Sequence, residues 1–480
     1  MIASLLTRRN LLILFHFSLV IFGLILGKAL VEENYYIMLG VATLVVAALI
    51  YRSNTTPIII MLFIVFFGNW VQTVGLLPPQ FSWLSEVLIA LLFVKAISAK
   101  ILRKEKIHLK YLGIVCLFLF ITGISFRLTG VSMIHMLLFL RLLFRHYILF
   151  IAVINLDFTE KEMNRIIKLL IFLFIIQIPT AVGKMFVYGP GEMAIGTYAP
   201  WGGGPSAIIP LIAIGFLLSL YFLYKPSKWY VLLAFGFIAF GIIGGKRAVL
   251  FFVPVIILFL AFFMKIGFKE VIKYAMIGGV IILVTGFFSI RFLRSLNPEG
   301  GYGNVTVDLR FVADYIANYT TDEEEGKSKG RISTTINVFR ILNEQGTRGL
   351  LLGLGPGSYI KTRFEDLKST QKEMGTLPII YGITGFTWTA LQTGFVGALV
   401  YFSVFLFILI AASKYYKTET RPYWKAFALG MVGYTFVMLW INVTYWTVHL
   451  DDMLPLVYFL LVAFMLKKTE NSEIPSDSKI

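Results

Sequence analysis

Two adjacent cations, Lys246 and Arg247, stand in the short motif GGKRA between two apolar runs of about 17 residues. Lysines flank the far ends of both runs, at positions 225, 228, 265, 269 and 273. Because basic loops concentrate on the cytoplasmic side of a membrane, the GGKRA turn is expected on the opposite face. Two cations beside glycines on that face suggest a fixed anion site. The alternative is that both side chains extend to lipid phosphates.

Three further arginines, at 331, 340 and 348, lie in a long polar stretch. The spacing predicts a helix over 331–345, with Gly346 as its stop. Arg331 and Arg340 are nine residues apart and therefore point to opposite sides of such a helix. Arg340 has an acidic neighbour one turn later, Glu344. Arg331 has none, so it is the favoured functional arginine, with Arg340 and Arg348 as substrate-binding candidates. The planar guanidinium suits a diphosphate, to which it can donate two parallel hydrogen bonds.

Arg141 and Arg145 are one helical turn apart inside a hydrophobic segment. Arginines at membrane depth face protein or water rather than lipid, which makes both candidates for substrate binding. The alternative is a broken or interfacial segment that places them near a surface.

The glycine-rich segment 189–205 carries Tyr198 and Trp201, which suit a platform for stacking sugars. An interfacial aromatic belt would have the same composition.

Acidic and histidine side chains supply the candidate bases. His449, with Asp451 and Asp452 close behind, has the residue types of a general base and its orienting partner, and His449 is a candidate for substrate binding. Asp at this position also fits a helix N-terminus. Glu32 and Glu33 resemble the acid that multi-span GT-C glycosyltransferases place in their first outward loop, although a solvated loop is the more ordinary explanation.

Composition decides the broad class of the protein. Of 480 residues, 58% are hydrophobic and 14% are charged, with a mean hydropathy of +0.82. Soluble domains are about 45–50% apolar and about 25% charged, so the chain is expected to be a polytopic membrane protein. The net charge of +17 follows from basic loops on one side of the membrane rather than from nucleic-acid binding. The single cysteine, Cys116, excludes an internal disulfide, and no motif indicates a metal site or cofactor.

The apolar runs predict an all-α polytopic membrane protein with about 14 transmembrane helices (12–14) and one large, partly helical extracytoplasmic loop. Both termini are expected in the cytoplasm. The predicted parts are an N-terminal bundle (1–290, about 11 spans), the loop (291–385), C-terminal spans (386–468, about three) and a cytoplasmic tail (469–480). The predicted spans are 11–27, 35–51, 57–75, 83–99, 111–126, 131–155, 166–187, 206–224, 229–245, 248–264, 271–290, 386–412, 424–445 and 450–466.

The chain resembles the bacterial O-antigen polymerase and ligase superfamily across roughly residues 230–400. The similarity rests on GGKRA at 244–248, on the stretch from Arg331 through LLGLGPGSY, and on LQTGFVG at 391–397. Ligases carry a His-Asn pair where Ile383 and Thr384 stand in this sequence, and no histidine occurs between 291 and 385. The resemblance therefore favours the polymerase branch and leaves the general base unassigned.

What the resemblance implies is a GT-C-like fold and glycosyl transfer at the outer face of the bacterial inner membrane. Donor and acceptor would be glycans linked to undecaprenyl diphosphate, and a chain-length regulator is a further candidate partner. Lys246, Arg247 and Arg331, with Arg340 in reserve, would stabilise the leaving diphosphate. No cofactor or metal is then required.

Other interpretations of the sequence remain open: an O-antigen ligase, a GT-C transferase that uses a lipid-linked sugar, and a flippase for lipid-linked glycans. A flippase would need a polar pathway at the membrane midplane, for which Arg141 and Arg145 are the best candidates.

Overall fold

The computed structural model describes residues 52–77, 81, 83–189, 191–199, 204–246, 248–265, 267, 269, 323, 324, 327, 328, 330–359 and 382–473. The predicted spans 11–27, 35–51 and 271–290, and most of the predicted loop 291–385, lie outside these residues. So do Glu32, Glu33, Trp201 and Arg247.

The described part is almost entirely helical. Its α-helices, numbered in chain order, are α1 (Thr55–Thr73), α2 (Trp83–Leu102), α3 (Leu112–Thr129), α4 (Met133–Asn155), α5 (Glu160–Ile175), α6 (Gln177–Tyr188), α7 (Gly204–Leu223), α8 (Lys228–Ile243), α9 (Ala248–Phe263), α10 (Arg331–Glu344), α11 (Gly346–Leu352), α12 (Gly385–Thr418), α13 (Pro422–Thr444) and α14 (Leu454–Glu473). A 3₁₀ turn covers Val448–Leu450, and Glu323–Glu324 pairs antiparallel with Lys327–Ser328.

Seven helices of the described residues are long and apolar enough to cross a membrane. They are α1, α3, α4, the pair α5–α6, α7, α12 and α13, while α8 and α9 are shorter apolar helices. A helix satisfies its own backbone hydrogen bonds, which a segment in lipid must do. The expectation of a helical membrane-embedded protein is therefore confirmed.

Helix α13 stands at the centre of the bundle. It packs along α12 on one side and along α7 on the other, and it is the most completely buried of the seven spans. Helix α14 packs on α4, and α4 in turn packs on α2. The C-terminal part of the chain is thus enclosed by helices from its first half.

Two helix boundaries differ from the sequence-based predictions. The predicted span 166–187 begins earlier, at Glu160, because Thr159 and Glu162 form a reciprocal capping box. That span is divided at Ile176 into α5 and α6. Gly346, predicted to stop a helix, has a φ of +65° and leads from α10 directly into α11.

Helix α12 is broken at Gly394, where φ is +71° and ψ is 174°. The break exposes the carbonyl oxygens of Leu391 and Gln392, which accept hydrogen bonds from the backbone N–H groups of Leu354 (2.8 Å) and Gly355 (3.1 Å). Gly353 precedes the two donors Leu354 and Gly355, and a Cβ on Gly353 would stand 2.5 Å from the carbonyl carbon of Gln392. The glycines of LLGLGPGSY and LQTGFVG therefore allow one backbone to lie directly against the other.

Candidate functional site

A cavity of about 370 Å³ lies near the ends of α1 and α13 and the beginnings of α7 and α14. We call it the polar cavity. Four separate stretches of the chain form its wall, which includes Asn69, Tyr198, Gly204, Trp446, Asp451 and Asp452. Carboxylates, aromatic rings and an amide share this one concave surface, which is the usual composition of a ligand site.

Tyr198 reaches this cavity on a well-anchored loop. The side-chain amide of Asn69 donates to the carbonyl oxygen of Tyr198 (3.2 Å), and the Lys184 ammonium donates to the carbonyl oxygen of Gly196 (2.9 Å). The Tyr198 ring is 4% exposed, and burial raises the pKa of its hydroxyl. Its ring is therefore part of the cavity wall rather than an open platform, and half-buried Trp446 is the more accessible aromatic surface.

Asp451 is the carboxylate best placed for proton transfer. One of its oxygens, Oδ1, accepts hydrogen bonds from the backbone N–H groups of Met453 (2.9 Å) and Leu454 (2.8 Å), which caps α14. Burial raises the pKa of Asp451 to about 6, against the opposing effect of these hydrogen bonds. A carboxylate with a pKa near the working pH is suited to accept a proton during a reaction.

Arg141 and Arg145 belong to an ion-pair network that runs from Asp452 in the cavity wall through Arg145 and Glu86 to Arg141, whose side chain is exposed. Arg145 lies 2.5 Å from the Asp452 carboxylate and 3.4 Å from that of Glu86. Arg141 donates two hydrogen bonds to Glu86, of 2.6 and 2.8 Å. Because both arginines have carboxylate partners, their positions are explained without a substrate. The structure favours a positioning role for them, in which Arg145 orients Asp452.

Replacing Glu86 by glutamine is expected to lower the free energy of unfolding by about 1–3 kcal/mol, because two arginines lose a charged acceptor. The thermal midpoint of the purified protein in detergent measures this change. Glu105→Gln is the matched control, since Glu105 is exposed and its ion pairs with Lys100 and Arg103 contribute only about 0–1 kcal/mol each. Equal midpoints for the two variants would show that the network does not stabilise the fold.

His449 does not line the polar cavity. It is 1% exposed, and its ring packs against those of Trp388, Tyr401 and Phe402. Its Nδ1 lies 2.7 Å from Oδ1 of Asn442, and burial lowers the pKa of His449 to about 3. The interpretation of His449 as a substrate-binding residue or a base therefore has no support in this geometry. It is a neutral, packed histidine.

Arg331 lies beside the cavity, in contact with Tyr445, which precedes the cavity-lining residue Trp446. Its guanidinium carbon is 4.2 Å from the centre of the Tyr445 ring, and its Nε donates to the Tyr445 carbonyl oxygen (2.8 Å). The Phe252 ring of α9 also packs against Tyr445, with 5.2 Å between the two ring centres. Arg331 and the start of α9, which follows the GGKRA turn, thus converge on the end of α13.

The remaining predicted cations lie elsewhere. Lys246 is paired with Glu192, which neutralises the charge proposed for an anion site. Arg348 is exposed and donates to the carbonyl oxygen of Leu128. Arg340 is exposed and, within the described ranges, has no ion pair, not even with Glu344. None of these three residues lines the polar cavity.

Three residues of the site, Asn69, Glu86 and Trp446, are not predicted from the sequence. Glu86 carried a usable signal, because the one acid of a mainly apolar helix calls for a cationic partner. Asn69 and Trp446 carried none, since single polar or aromatic residues near helix ends are common. In the part of the chain that the structure describes, no group of three or more histidine, cysteine or acidic side chains could hold a metal ion.

Comparison with known proteins leaves the family open, since no protein-family model and no curated protein matches the chain.

Proposed function

We propose that this chain is a glycosyltransferase that polymerises undecaprenyl-diphosphate-linked repeat units, as in O-antigen or related surface polysaccharides. The observation that supports this most is the polar cavity, where Asp451, with its raised pKa, and Trp446 share a wall beside Arg331. The proposal includes about 14 spans in a GT-C-like arrangement in the bacterial inner membrane. It also places both termini in the cytoplasm and the cavity and residues 291–385 at the periplasmic face.

The reaction follows from the residue types around the cavity. A hydroxyl of the acceptor sugar gives its proton to Asp451, and its oxygen forms a bond to the anomeric carbon of the donor. The bond between that carbon and the lipid diphosphate breaks, and the diphosphate leaves with the bonding electrons. Arg331 stabilises the negative charge that develops on the diphosphate, and Trp446 offers an apolar face to a sugar ring. The proton remains on Asp451 until it passes to water.

Arg331→Ala is expected to lower the polymerisation rate by about 10²–10³-fold, the usual effect of removing one donor to a developing anion. Purified protein in detergent would receive lipid-diphosphate-linked repeat units from the native producer, with excess chelator, and a gel would display the products. Arg340→Ala is the control, because Arg340 is an exposed arginine of the same helix, about two and a half turns beyond Arg331 and its contact with Tyr445.

A chelator-insensitive ladder in the wild type and in Arg340→Ala, weakened in Arg331→Ala, supports the proposal. A ladder of equal intensity in all three would remove Arg331 from the site. Absence of a ladder from the wild type, together with flipping of a labelled lipid-linked glycan, would identify a transporter instead.

A further inference from the structure

A second cavity, of about 480 Å³, lies between α5, α7, α8, α13 and α14. We call it the apolar groove. Its walls are mainly hydrophobic side chains, among them Ile167, Leu170, Phe216, Phe427, Val457 and Leu461. Its volume falls within the range of small-molecule sites, about 300–1,000 Å³. The groove therefore has room for a hydrocarbon chain between the helices.

The groove and the polar cavity lie towards opposite ends of α13. Tyr423 and Phe427, at the start of α13, line the groove, whereas Trp446, just past its end, lines the polar cavity. At a rise of about 1.5 Å per residue, the chain from Tyr423 to Trp446 spans about 35 Å, comparable to the thickness of a bilayer core. A lipid whose phosphate reacts in the polar cavity cannot also place that phosphate at the groove.

Polar groups gather at one end of the groove. Asn164, Lys168, Tyr224, Tyr230 and Tyr423 line this end, and the rings of Tyr224 and Tyr423 are 5.5 Å apart. The Oδ1 atom of Asn164 is buried and accepts no hydrogen bond from the described residues. A buried acceptor without a donor costs free energy, so Asn164 calls for a donor that a bound molecule can supply.

The same end carries uncompensated positive charge. Lys168 lines the groove, and Lys225 and Lys228 lie close in the chain to the lining residues Tyr224 and Tyr230. None of the three lysines forms an ion pair with another described residue. Lysines at a membrane surface attract anionic headgroups.

We propose that the apolar groove binds one anionic phospholipid from the leaflet that contains these lysines. One acyl chain lies among Phe216, Phe427 and Leu461, and the phosphate lies near Lys168. A headgroup hydroxyl donates to Asn164 Oδ1. The lysines without an ion pair among the described residues favour an anionic lipid. Because the groove lies at the opposite end of α13 from the polar cavity, its occupant is a bulk phospholipid and not the lipid diphosphate proposed to react in that cavity. This site is independent of the proposed glycosyl transfer.

The test is native mass spectrometry of the delipidated full-length protein with phosphatidylglycerol and, separately, with phosphatidylcholine of the same acyl chains. We expect phosphatidylglycerol to bind more tightly. Lys168→Gln is expected to weaken its binding about fivefold, the contribution of one lysine near a charged surface. Lys161→Gln, an exposed lysine of the same helix outside the groove, should leave binding unchanged.

Ala213→Phe and Leu217→Phe fill the groove and should abolish the tight adduct in protein that still elutes as a folded species. Equal binding of the two lipids, or an unchanged adduct in Lys168→Gln and in both filled variants, would overturn the proposal. Displacement of phosphatidylglycerol by an equimolar amount of polyprenyl phosphate would overturn the choice of a bulk phospholipid.

Discussion

Gly394→Ala is expected to lower the free energy of unfolding by about 2–6 kcal/mol and to deplete folded protein in detergent. The backbone at Gly394 (φ +71°, ψ 174°) is accessible essentially to glycine alone, and forcing another residue into it costs about 1–3 kcal/mol. In addition, a Cβ would lie 2.1 Å from the carbonyl carbon and oxygen of Leu351. These are backbone atoms of α11, which cannot rotate away, so overpacking adds about 1–3 kcal/mol.

Fluorescence-detected size exclusion after a temperature series measures this effect. Gly123→Ala is the control, because Gly123 lies inside α3 with no atom within 4 Å of the added Cβ. That variant should keep or slightly raise the midpoint, since alanine favours a helix by about 1 kcal/mol over glycine. Equal midpoints for Gly394→Ala and Gly123→Ala would show that α12 does not need the break.

Asp451→Asn is expected to reduce polymerisation by about 10²–10⁴-fold, the usual contribution of a general base. The amide oxygen of the new side chain can still accept the hydrogen bonds from Met453 and Leu454 that cap α14. In the wild type, activity should fall as the pH drops through about 6, because Asp451 then becomes protonated. The residual activity of the variant should lack this dependence on pH.

The free energy of unfolding of Asp451→Asn, compared with that of the wild type, distinguishes a catalytic from a structural role for Asp451. Its pKa is raised in the folded protein, so the folded state binds this proton more tightly than the unfolded state does. The contribution of Asp451 to stability is therefore present below a pH of about 4 and is lost as the pH rises through about 6. At neutral pH the variant with the uncharged side chain should be at least as stable as the wild type.

Asp452→Asn is the matched control for Asp451→Asn. It weakens the ion pair with Arg145, so its main expected effect is a lower thermal midpoint. Polymerisation by this variant should still fall as the pH drops through about 6, which is the acidic limb of the pH profile. If Asp452→Asn abolished that limb and Asp451→Asn preserved it, the proposed base would be the wrong aspartate.

The helices were largely predictable because each lipid-exposed span needs an uninterrupted apolar run. The runs at 57–75, 206–224 and 424–445 correspond closely to α1, α7 and α13. The break at Gly394 was not predictable, since a glycine within an apolar run gives no sign that a distant loop will bind the exposed carbonyl groups. The division at Ile176 similarly lacks a local signal.

The site was predictable in its residue types but not in its pairings. Arg331 was singled out and lies beside the polar cavity, and the acids near 450 were recognised as candidate bases. Local spacing could not show that Glu86 neutralises Arg141, or that Glu192 neutralises Lys246, because the partners are 55 and 54 residues apart. Nor could it show that aromatic rings enclose His449.

The wall of the polar cavity joins Asn69, near the beginning of the chain, to Asp452, near its end. Ribosomes add about 5–20 residues per second, so on the order of 20–80 s separates the synthesis of these two residues. During that interval the nascent chain has no closed cavity and no Asp451. We therefore expect the growing protein to lack the proposed transferase activity until α14 has been made and has packed on α4.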